Sequence, residues 1–339
     1  MNKLFFGLFL VLLVTAAIIT FGCDNGNTDE THFPSIGVIL FGGENYSDAI
    51  QVKNTIDKKS NGLALVEYAF SNEDPNTQNS QIDNFINNKV DVLAISLCNG
   101  NNTTSSITAI LTKAQNAGIP VVFFLQGLFD QFDIGPWPKA YTVMADQNEI
   151  AAMQGEILAD YWNSHGEMDR NNDSKMQYIM VHGPKEQPDA LIRIVKPIEM
   201  IESKGINVEC LSEFNGEWYF DSSRKESFKI LLENYKETAE AIICGNDSMA
   251  LGVIDVLNEI PYFDSFYIPI VGVDGEADAI TAINNGKMLG TVFQDFNKIG
   301  EATFAVCYAL GIGKNIPASI DWNINERSII IRPTIITQN

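Results

Sequence analysis

Oxygen-bearing side chains recur at alternate positions in one short stretch of the chain. Asp169, Asn171, Asp173 and Gln177 occupy positions one, three, five and nine of a calcium-binding loop, and Lys175 stands at position seven, where a backbone carbonyl is the ligand. This spacing turns several oxygens toward one point, and oxygen is the donor that Ca²⁺ prefers. The stretch therefore predicts a calcium site, and an ordinary solvated turn is the alternative.

Two positions of this loop differ from the usual calcium-binding pattern. Position six is Ser174, where glycine normally supplies positive φ, so a serine would have to adopt that conformation. Position twelve is Met180, where a bidentate Glu normally stands. A carboxylate from elsewhere in the chain must therefore complete the coordination of any bound calcium ion.

A second group of polar and aromatic residues follows the predicted strands. From residue 35 onward, short apolar runs alternate with helical segments, which predicts parallel βαβ units. Ligands of open parallel sheets lie beyond the carboxyl ends of the strands, so two facing sheets would form a cleft. The residues at the predicted strand ends are Glu44, Tyr46, Ser96, Asn246, Asp247, Asp274, Gln294 and Asp295.

Aromatic and charged residues indicate what such a cleft would bind. Trp218 also follows a predicted strand, and with Tyr46 it could stack on both faces of a flat ring, although a half-buried aromatic is the simpler interpretation of Trp218 alone. Asp189 and Arg193 are four residues apart on one face of a helix that starts at Pro188. Carboxylates and guanidinium groups bridge adjacent hydroxyls, so the combination predicts an uncharged polyhydroxylated ligand such as a sugar.

The N-terminal residues predict export of the chain from the cytoplasm. Residues 1–22 resemble a signal peptide, with Lys3 before an apolar run, and Cys23 follows Gly22 as the lipidated cysteine of a bacterial lipoprotein does. Residues 23–33 would be a polar tether. The alternative is an uncleaved membrane anchor, and both alternatives place the remainder outside the cytoplasmic membrane.

Charge and cysteine content exclude several classes of protein. The formal net charge of −21 over 339 residues disfavours nucleic acid and anionic lipid as partners. The remaining cysteines have no Cys-x-x-Cys spacing and the three histidines do not cluster with them, so zinc is not indicated. There is no Gly-x-Gly-x-x-Gly after the first strand, which disfavours a dinucleotide-binding fold.

Several stretches, taken in order over residues 35–334, resemble the periplasmic galactose/glucose-binding proteins, a group of sugar-binding periplasmic binding proteins. The stretches are Ile36-Gly37-Val38, Pro120-Val121-Val122-Phe123-Phe124, Lys139-Ala140-Tyr141, Pro188-Asp189-Ala190, Asn246-Asp247-Ser248-Met249-Ala250, Gly272-Val273-Asp274 and Gly290-Thr291-Val292. The resemblance implies an α/β fold of type I, with two Rossmann-like three-layer lobes on parallel sheets joined by a three-crossing hinge. It implies one lobe from residues 34–124 plus 294–326 and another from 125–293 plus 327–339, with crossings near 124–126, 293–294 and 327.

The resemblance also implies a set of ligand residues. Tyr46 and Trp218 would sandwich a pyranose ring, and the type I family's residue types differ from this chain at Glu44, Ser96, Gln187 and Gln294. The bidentate carboxylate that completes a structural Ca²⁺ site would be Glu240. The full ligand set implied is Glu44, Tyr46, Ser96, Gln187, Asp189, Arg193, Trp218, Asn246, Asp274 and Gln294.

The function expected from this resemblance is that of a monomeric, lipid-anchored protein that binds a galactose-like or glucose-like monosaccharide and delivers it to the permease of an ABC importer. The alternatives are a sugar-sensing or chemoreceptor component with the same fold and an adhesin without ligand. An enzyme is disfavoured because the chain has no Gly-x-Ser-x-Gly motif and no Ser/His/Asp order. Asp189, Asp247 and Asp274 could in principle serve as the carboxylates of a glycosidase, but Asp189 and Asp274 match binding positions that the resemblance implies.

Overall fold

The computed structural model describes residues 33–44, 46–125, 134–316, 322–325 and 327–338. The predicted signal peptide of residues 1–22 and the predicted lipidation site Cys23 lie outside these residues. Within them, no helix combines the length and the apolar character that a membrane span requires. The cysteines at positions 98, 210, 244 and 307 are all free thiols.

Strands and helices alternate along most of the chain, as the apolar runs predict. The strands are β1 (Ser35–Leu40), β2 (Leu65–Phe70), β3 (Val92–Ile95), β4 (Val121–Leu125), β5 (Ala140–Ala145), β6 (Lys175–His182), β7 (Asn207–Asn215), β8 (Ala241–Cys244), β9 (Ile270–Asp274), β10 (Gly290–Phe293), β11 (Trp322–Asn325), β12 (Ser328–Ile331) and β13 (Thr334–Thr337). The α-helices are α1 (Ser47–Ser60), α2 (Pro75–Asn87), α3 (Thr104–Ala117), α4 (Gln147–Ser164), α5 (Pro188–Ser203), α6 (Ser222–Tyr235), α7 (Asp247–Leu257), α8 (Ala277–Asn284) and α9 (Phe296–Gly311).

These strands form two separate sheets, and each sheet is the centre of one lobe. The first sheet has the order β11-β12-β5-β4-β3-β1-β2, and the second has the order β13-β10-β9-β8-β6-β7. Neighbouring strands pair in parallel except at one edge of each sheet, where β11 pairs with β12 and β13 with β10 in antiparallel fashion. The predicted α/β fold with two mainly parallel sheets is thus confirmed.

Each sheet is covered by helices on both faces, because its strands are apolar at odd and even positions alike. In β1, Ile36 and Val38 pack with α1 and α9, whereas Ile39 points the other way into a cluster with α2 and α3. In β6, Ile179 packs with α6 and α7, whereas Met180 packs toward α4. Each lobe therefore has three layers and its own core.

The structure corrects two of the three predicted crossings between the lobes. β5 was assigned to the second lobe, but it pairs with β4 and β12 in the first sheet, so the first crossing lies between Ala145 and Gln147 and not at 124–126. β12 is likewise part of the first sheet, so the last crossing lies at residues 332–333 and not at 327. The second crossing, between Phe293 and Phe296, matches the prediction.

The error at β5 has a physical cause. β4 and β5 are parallel neighbours in the same sheet, so the lobe boundary implied at residues 124–125 divides two paired strands of the first lobe. The apolar pattern of β5 predicts a strand but not its partners, which are distant in the chain.

Candidate functional site

The predicted ligand residues lie where parallel strands end. In the first lobe, Glu44 and Tyr46 follow β1 and Ser96 follows β3. In the second lobe the order along the chain is Gln187, Asp189 and Arg193 after β6, Trp218 after β7, Asn246 after β8, Asp274 as the last residue of β9, and Gln294 after β10. The topology therefore collects the second-lobe set at one edge of the second sheet.

A carboxylate of the first lobe lies close enough to carboxylates of the second lobe to raise their pKa. Burial raises the pKa of Asp274 and of Glu276, both near the end of β9, and the carboxylate of Asp48 in the first turn of α1 adds to both rises. Asp48 belongs to the first lobe and the other two carboxylates to the second. An acidic cleft therefore runs between the two sets of strand ends.

Arg193 is the centre of the second-lobe set. Its buried guanidinium donates from Nη1 to the carbonyl oxygen of Gly245 at 2.7 Å, and from Nη2 and Nε to Oε1 of Gln147 at 2.9 and 3.3 Å. The guanidinium carbon lies 5.6 Å from the Trp218 ring centre, within the range of a cation–π contact. Its orientation is thus fixed from several sides.

Trp218 is held over the ends of β6 and β8. Its φ of 62° lies in the left-handed region, which non-glycine residues seldom adopt. The ring covers Gly183 so closely that a Cβ on that residue would overlap it. Its Nε1 donates to Oε1 of Gln187 at 2.6 Å, and its carbonyl accepts from Nδ2 of Asn246 at 3.1 Å. Gln187 and Asn246, both predicted as ligand residues, therefore also position the indole.

Asp189 has a buried carboxylate oxygen, Oδ1, that no described group hydrogen-bonds. Burial raises the pKa of Asp189, and the neighbouring Arg193 guanidinium acts in the opposite direction. Buried acceptors in native proteins nearly always have a partner, and a bound ligand is one way to supply it. Asp189 thus presents an unused acceptor beside Arg193.

Asp274 and Gln294 form a hydrogen-bonded pair at the ends of adjacent strands. Nε2 of Gln294 donates to Oδ1 of Asp274 at 2.7 Å, and Nη1 of Arg193 lies 3.8 Å from the same oxygen. Burial raises the pKa of Asp274 to about 7, although Arg193 and Gln294 both favour the ionised form. Asp274 has a φ of 117°, so the backbone is strained at this point of the site.

Asp247 is a structural residue, although it also follows a strand. Its Oδ2 accepts from the amides of Gly275 and Glu276, and its Oδ1 accepts from the hydroxyl of Thr291. Burial raises its pKa to about 8, and Asp274 adds to the rise. With both oxygens engaged, Asp247 fixes the loop after β9 and offers nothing to a ligand.

The predicted ligand residues of the first lobe, Glu44, Tyr46 and Ser96, differ in how exposed they are. Tyr46 is 38% exposed, packs edge-on against Phe41 with ring centres 5.0 Å apart, and donates its hydroxyl to Glu73. Burial and Glu73 raise the pKa of Tyr46 to about 12, so the phenol stays protonated. Glu44 is exposed, whereas Ser96 is fully buried, and its carbonyl accepts from Nε2 of Gln78 at 3.0 Å.

Gln147 joins this site although the sequence analysis does not predict it. It is 2% exposed, contacts Arg193, and donates from Nε2 to Oε1 of Gln294 at 3.2 Å. The available signal was its position, because Asp146 and Gln147 directly follow β5 as other site residues follow their strands.

The predicted calcium loop is folded around its own acidic side chains. Asp169 accepts from the amides of Asp173 at 3.1 Å and Ser174 at 2.9 Å, and Asp173 accepts from the amide of Lys175 at 2.9 Å. Ser174 has a φ of 64°, the positive value that the absence of glycine at position six predicts. The side chain of Asn171 accepts from the amide of Asp173 at 3.0 Å.

Glu240 reaches this loop from the segment before β8. Its carboxylate is buried and accepts from the amides of Arg170 at 2.7 Å and Gln177 at 2.9 Å. Burial raises the pKa of Glu240, and the negative charges of Asp169 and Asp173 raise it further. Oε1 of Gln177 is buried without a hydrogen-bond partner.

The fit of a cation to this loop is mixed. The oxygen donors and the unpartnered Gln177 carbonyl suit Ca²⁺ in kind. In the described part of the chain, however, no three His, Cys, Asp or Glu side chains are grouped closely enough to hold a metal. Nε2 of Gln177 also donates to Asp173 at 2.7 Å, which occupies an oxygen that a cation would need.

A separate surface cavity of about 530 Å³ lies at the other end of the second sheet. Tyr161 and Tyr267 line it, together with residues that precede β10 and end β13. It contains none of the predicted ligand residues and is therefore distinct from the cleft.

The amino-acid sequence is similar to those of known proteins over most of its length. The family model described as the periplasmic binding protein domain matches residues 36–315. A D-galactose/methyl-galactoside binding periplasmic protein of Haemophilus influenzae is 29% identical over 300 residues, which are 87% of each chain. A xylitol-binding protein of Mycolicibacterium smegmatis is 24% identical over 76% of this chain and 66% of its own.

Solved structures resemble the fold over most of its length. An ABC transporter solute binding protein of Bacillus halodurans with bound myo-inositol superposes with a TM-score of 0.73 at 20% identity, covering 91% of this chain and 96% of its own. A periplasmic solute binding protein of Actinobacillus succinogenes with bound D-allose gives 0.71 at 17% identity, covering 90% and 98%.

Proposed function

The chain belongs to the periplasmic binding protein family, and we propose that it captures a galactose-like or glucose-like monosaccharide between its lobes for delivery to an ABC importer. Its two-lobed architecture is the type I fold of that family. The relatives are named as binding proteins and not as enzymes, in agreement with the expectation of a non-enzymatic function.

The observation that carries the proposal is the unpartnered buried oxygen of Asp189. It lies beside a guanidinium that is held rigidly by Gly245 and Gln147, and Trp218 lies on the same side of the lobe. A sugar hydroxyl can donate to Asp189 while its oxygen accepts from Arg193. An apolar face of the ring would then rest on the indole.

The remaining residues have separate roles in this proposal. Asp274 would accept from a second hydroxyl, because Gln294 donates to its Oδ1 and not to its Oδ2. Tyr46 would cover the other face of the ring from the opposite lobe. Gln187 accepts from Trp218 through its side-chain oxygen. Its amide N–H groups therefore remain for the ligand.

Import is supported by the relatives, which include a protein of Bacillus subtilis named for ribose import at 23% identity. Ligand contacts from two lobes favour a closed arrangement, because only closure completes both halves of the site. A permease could then distinguish loaded from empty protein. A lipid on Cys23 would keep the protein on the outer face of the cytoplasmic membrane.

Isothermal titration calorimetry with D-galactose, D-glucose, D-xylose, D-ribose and myo-inositol tests the ligand class. At least one sugar should bind, and Asp189→Asn should weaken it by roughly 10- to 100-fold, the effect of losing a hydrogen bond to a charged group. Asp255→Asn is the matched control, since Asp255 is exposed and pairs with Lys225 on the surface. Folded protein that binds none of these compounds would refute the proposal.

We also infer that Ca²⁺ occupies the loop of residues 169–177, with Asp169, Asn171, Asp173, the Lys175 carbonyl, Gln177 and Glu240 as ligands. The support is the type and spacing of the donors and the unpartnered Gln177 oxygen. Binding would require Gln177 to turn its carbonyl toward the ion and release Asp173. The ion would tie the loop to the segment before β8 and leave the sugar cleft untouched.

Thermal unfolding in about 1 mM calcium, compared with unfolding in excess EGTA, tests this site. Calcium at about 100 times its dissociation constant stabilises by about 2.7 kcal/mol, which for a chain of this size corresponds to roughly 4 °C in Tm. Glu240→Gln should abolish this difference, whereas Glu209→Gln, which removes an exposed partner of Lys175, should preserve it. Equal Tm values for the wild type in calcium and in EGTA would exclude the ion.

A further inference from the structure

Gln147 is a buried amide that connects the second-lobe binding residues to one another. It is the first residue of α4 and only 2% exposed. Oε1 accepts from Nη2 and Nε of Arg193, and Nε2 donates to Oε1 of Gln294. Both ends of the amide are therefore used inside the site.

The direction of each hydrogen bond is fixed by the chemistry of its neighbours. Arg193 has only donors, so Gln147 must present its oxygen to the guanidinium and its NH₂ to Gln294. Gln294 in turn accepts at Oε1 and donates from Nε2 to the Asp274 carboxylate at 2.7 Å. Nη1 of Arg193 lies 3.8 Å from the same carboxylate, so the four side chains form a ring.

Two members of this ring stand at crossings between the lobes. Gln147 begins the helix that follows the first crossing, and Gln294 lies within the second crossing, between β10 and α9. The contact of 3.2 Å between their side chains thus joins two hinge segments that are 147 residues apart. Arg193 and Asp274, which face the cleft, complete the ring from α5 and β9.

We propose that Gln147 is a positioning residue for ligand binding, which holds the Arg193 guanidinium in its binding orientation and joins it to the hinge through Gln294. This inference rests on the proposed sugar-binding function of the cleft. Gln147 and the Gly245 carbonyl use three of the five N–H donors of Arg193, and the other two remain for the cleft. Without Gln147, the guanidinium can turn toward the carboxylate of Asp274 or Asp189. The N–H donors of Arg193 and the acceptor oxygens of that carboxylate would then bind each other and not the ligand.

Two substitutions separate the acceptor from the donor of Gln147. Gln147→Met keeps the length of the side chain and removes both groups, so the affinity for the D-galactose or D-glucose probe should fall roughly 10- to 100-fold. Gln147→Glu keeps an acceptor for Arg193 but loses the donor to Gln294, so the affinity should fall clearly less than in Gln147→Met. A residue that served only to fill space would show the opposite order, because Met fills the same volume without a buried charge.

A measurement without sugar tests the positioning itself. The ¹H–¹⁵N resonance of Arg193 Nε, assigned with Arg193→Lys, should move and exchange faster with solvent in Gln147→Met and stay protected in Gln147→Glu. Gln154→Met is the matched control, because Gln154 is a fully buried glutamine of the same helix that donates to the Cys244 carbonyl instead. The control should lower Tm and leave the Arg193 resonance unchanged.

The two measurements distinguish the possible failures. An unchanged Arg193 resonance in Gln147→Met overturns the positioning role, whatever the sugars do. If the wild type binds no sugar while the resonance responds as expected, the function proposed for the cleft fails and the role of Gln147 toward Arg193 stands. If Gln147→Met does not fold, Gln147→Asn, whose amide is one methylene shorter, should show the same loss of protection.

Discussion

Single carboxylates in the cleft combine a binding role with a cost in stability. Burial raises the pKa of Asp189, Asp247 and Asp274, and of these Asp189 and Asp274 have acceptor capacity left for a ligand. An acid that holds its proton more tightly in the folded state than in the unfolded state stabilises the protein only while it is protonated. In their ionised form, Asp189 and Asp274 therefore destabilise the empty protein, and hydroxyl groups of a bound sugar would supply the missing hydrogen bonds.

The ionisation of Asp274 should be visible in the pH dependence of stability. Its pKa rises from 3.8 in the unfolded chain to about 7 in the folded protein, so its contribution to stability is complete below pH 3.8 and is lost as the pH rises to about 7. Asp274→Asn removes this loss, and the Tm of the empty variant should exceed that of the wild type at pH 8 by roughly 3–8 °C. The difference should vanish near pH 4.

Calorimetric scans of both proteins from pH 4 to pH 8 measure this difference directly. Repulsion from the overall negative charge is nearly the same in the two proteins, so it cancels in the comparison. The groups that face Asp274 are Arg193, Glu276, Asp48 and Asp247, and they remain in the variant. A Tm difference that is constant across this pH range would contradict the assignment.

Residue types alone were informative for part of the site. Asp189 and Trp218 could be selected because acid, arginine and aromatic side chains at strand ends suit hydroxyl groups, whatever their partners. The contacts of Gln147 could not be predicted, because they join residues 46 and 147 positions away and have no local pattern. The sequence could not predict that both carboxylate oxygens of Asp247 are hydrogen-bonded, because their partners are Thr291 and the loop after β9.

At the scale of elements, local pattern predicts strands and helices better than it predicts their neighbours. The apolar run of β5 predicts a strand, but its place between β4 and β12 depends on pairing with residues near 121 and 328. Those pairings are decided by which sheet can bury both faces of the strand. This is why the lobes were predicted and the first and last crossings were misplaced.

The packing of α4 against α5 depends on the absence of a side chain at Gly155. A Cβ there would lie 2.8 Å from Cα of Pro197 and closer still to its carbonyl oxygen, so the two helix backbones would have to separate. α5 carries Arg193 and α4 begins with Gln147, and both residues would shift. Gly155→Ala should therefore destabilise the protein by about 1–3 kcal/mol, in spite of the higher helix propensity of alanine.

Chemical denaturation of this variant should be compared with that of Gly166→Ala. A Cβ at Gly166 would meet nothing within 4 Å, so this control should change stability by less than about 0.5 kcal/mol. The sugar affinity of Gly155→Ala should fall as well, since its effect reaches the Arg193 side of the cleft. Equal stability of the two variants would show that the helices can separate freely.

At the scale of the whole molecule, each lobe has a complete core of its own. Apolar clusters lie on both faces of each sheet, and the chain passes between the sheets at 145–147, 293–296 and 331–334. Movement of one lobe relative to the other would leave these clusters intact. The relative position of the lobes is therefore sensitive to the charges that face each other across the cleft.

Those facing charges have the same sign, which should favour separation of the empty lobes. Asp48 in the first lobe acts on Asp274 and Glu276 in the second, and the chain as a whole has a net charge of −21. At pH 8, where Asp274 is ionised, Asp48→Asn removes one of the repelling charges. The empty variant should have a smaller radius of gyration by small-angle X-ray scattering than the wild type, and it should bind sugar roughly two- to fivefold more tightly.

Ionic strength provides the internal check on this electrostatic explanation. The difference between Asp48→Asn and wild type should be largest near 20 mM salt and nearly absent near 500 mM, at about which concentration charges are screened within a few ångströms. Asp57→Asn is the control, because Asp57 lies on the same helix and pairs with Lys53 at 2.7 Å. If the two variants scatter alike at low salt, cross-cleft repulsion does not set the position of the empty lobes, and the connections between them must do so instead.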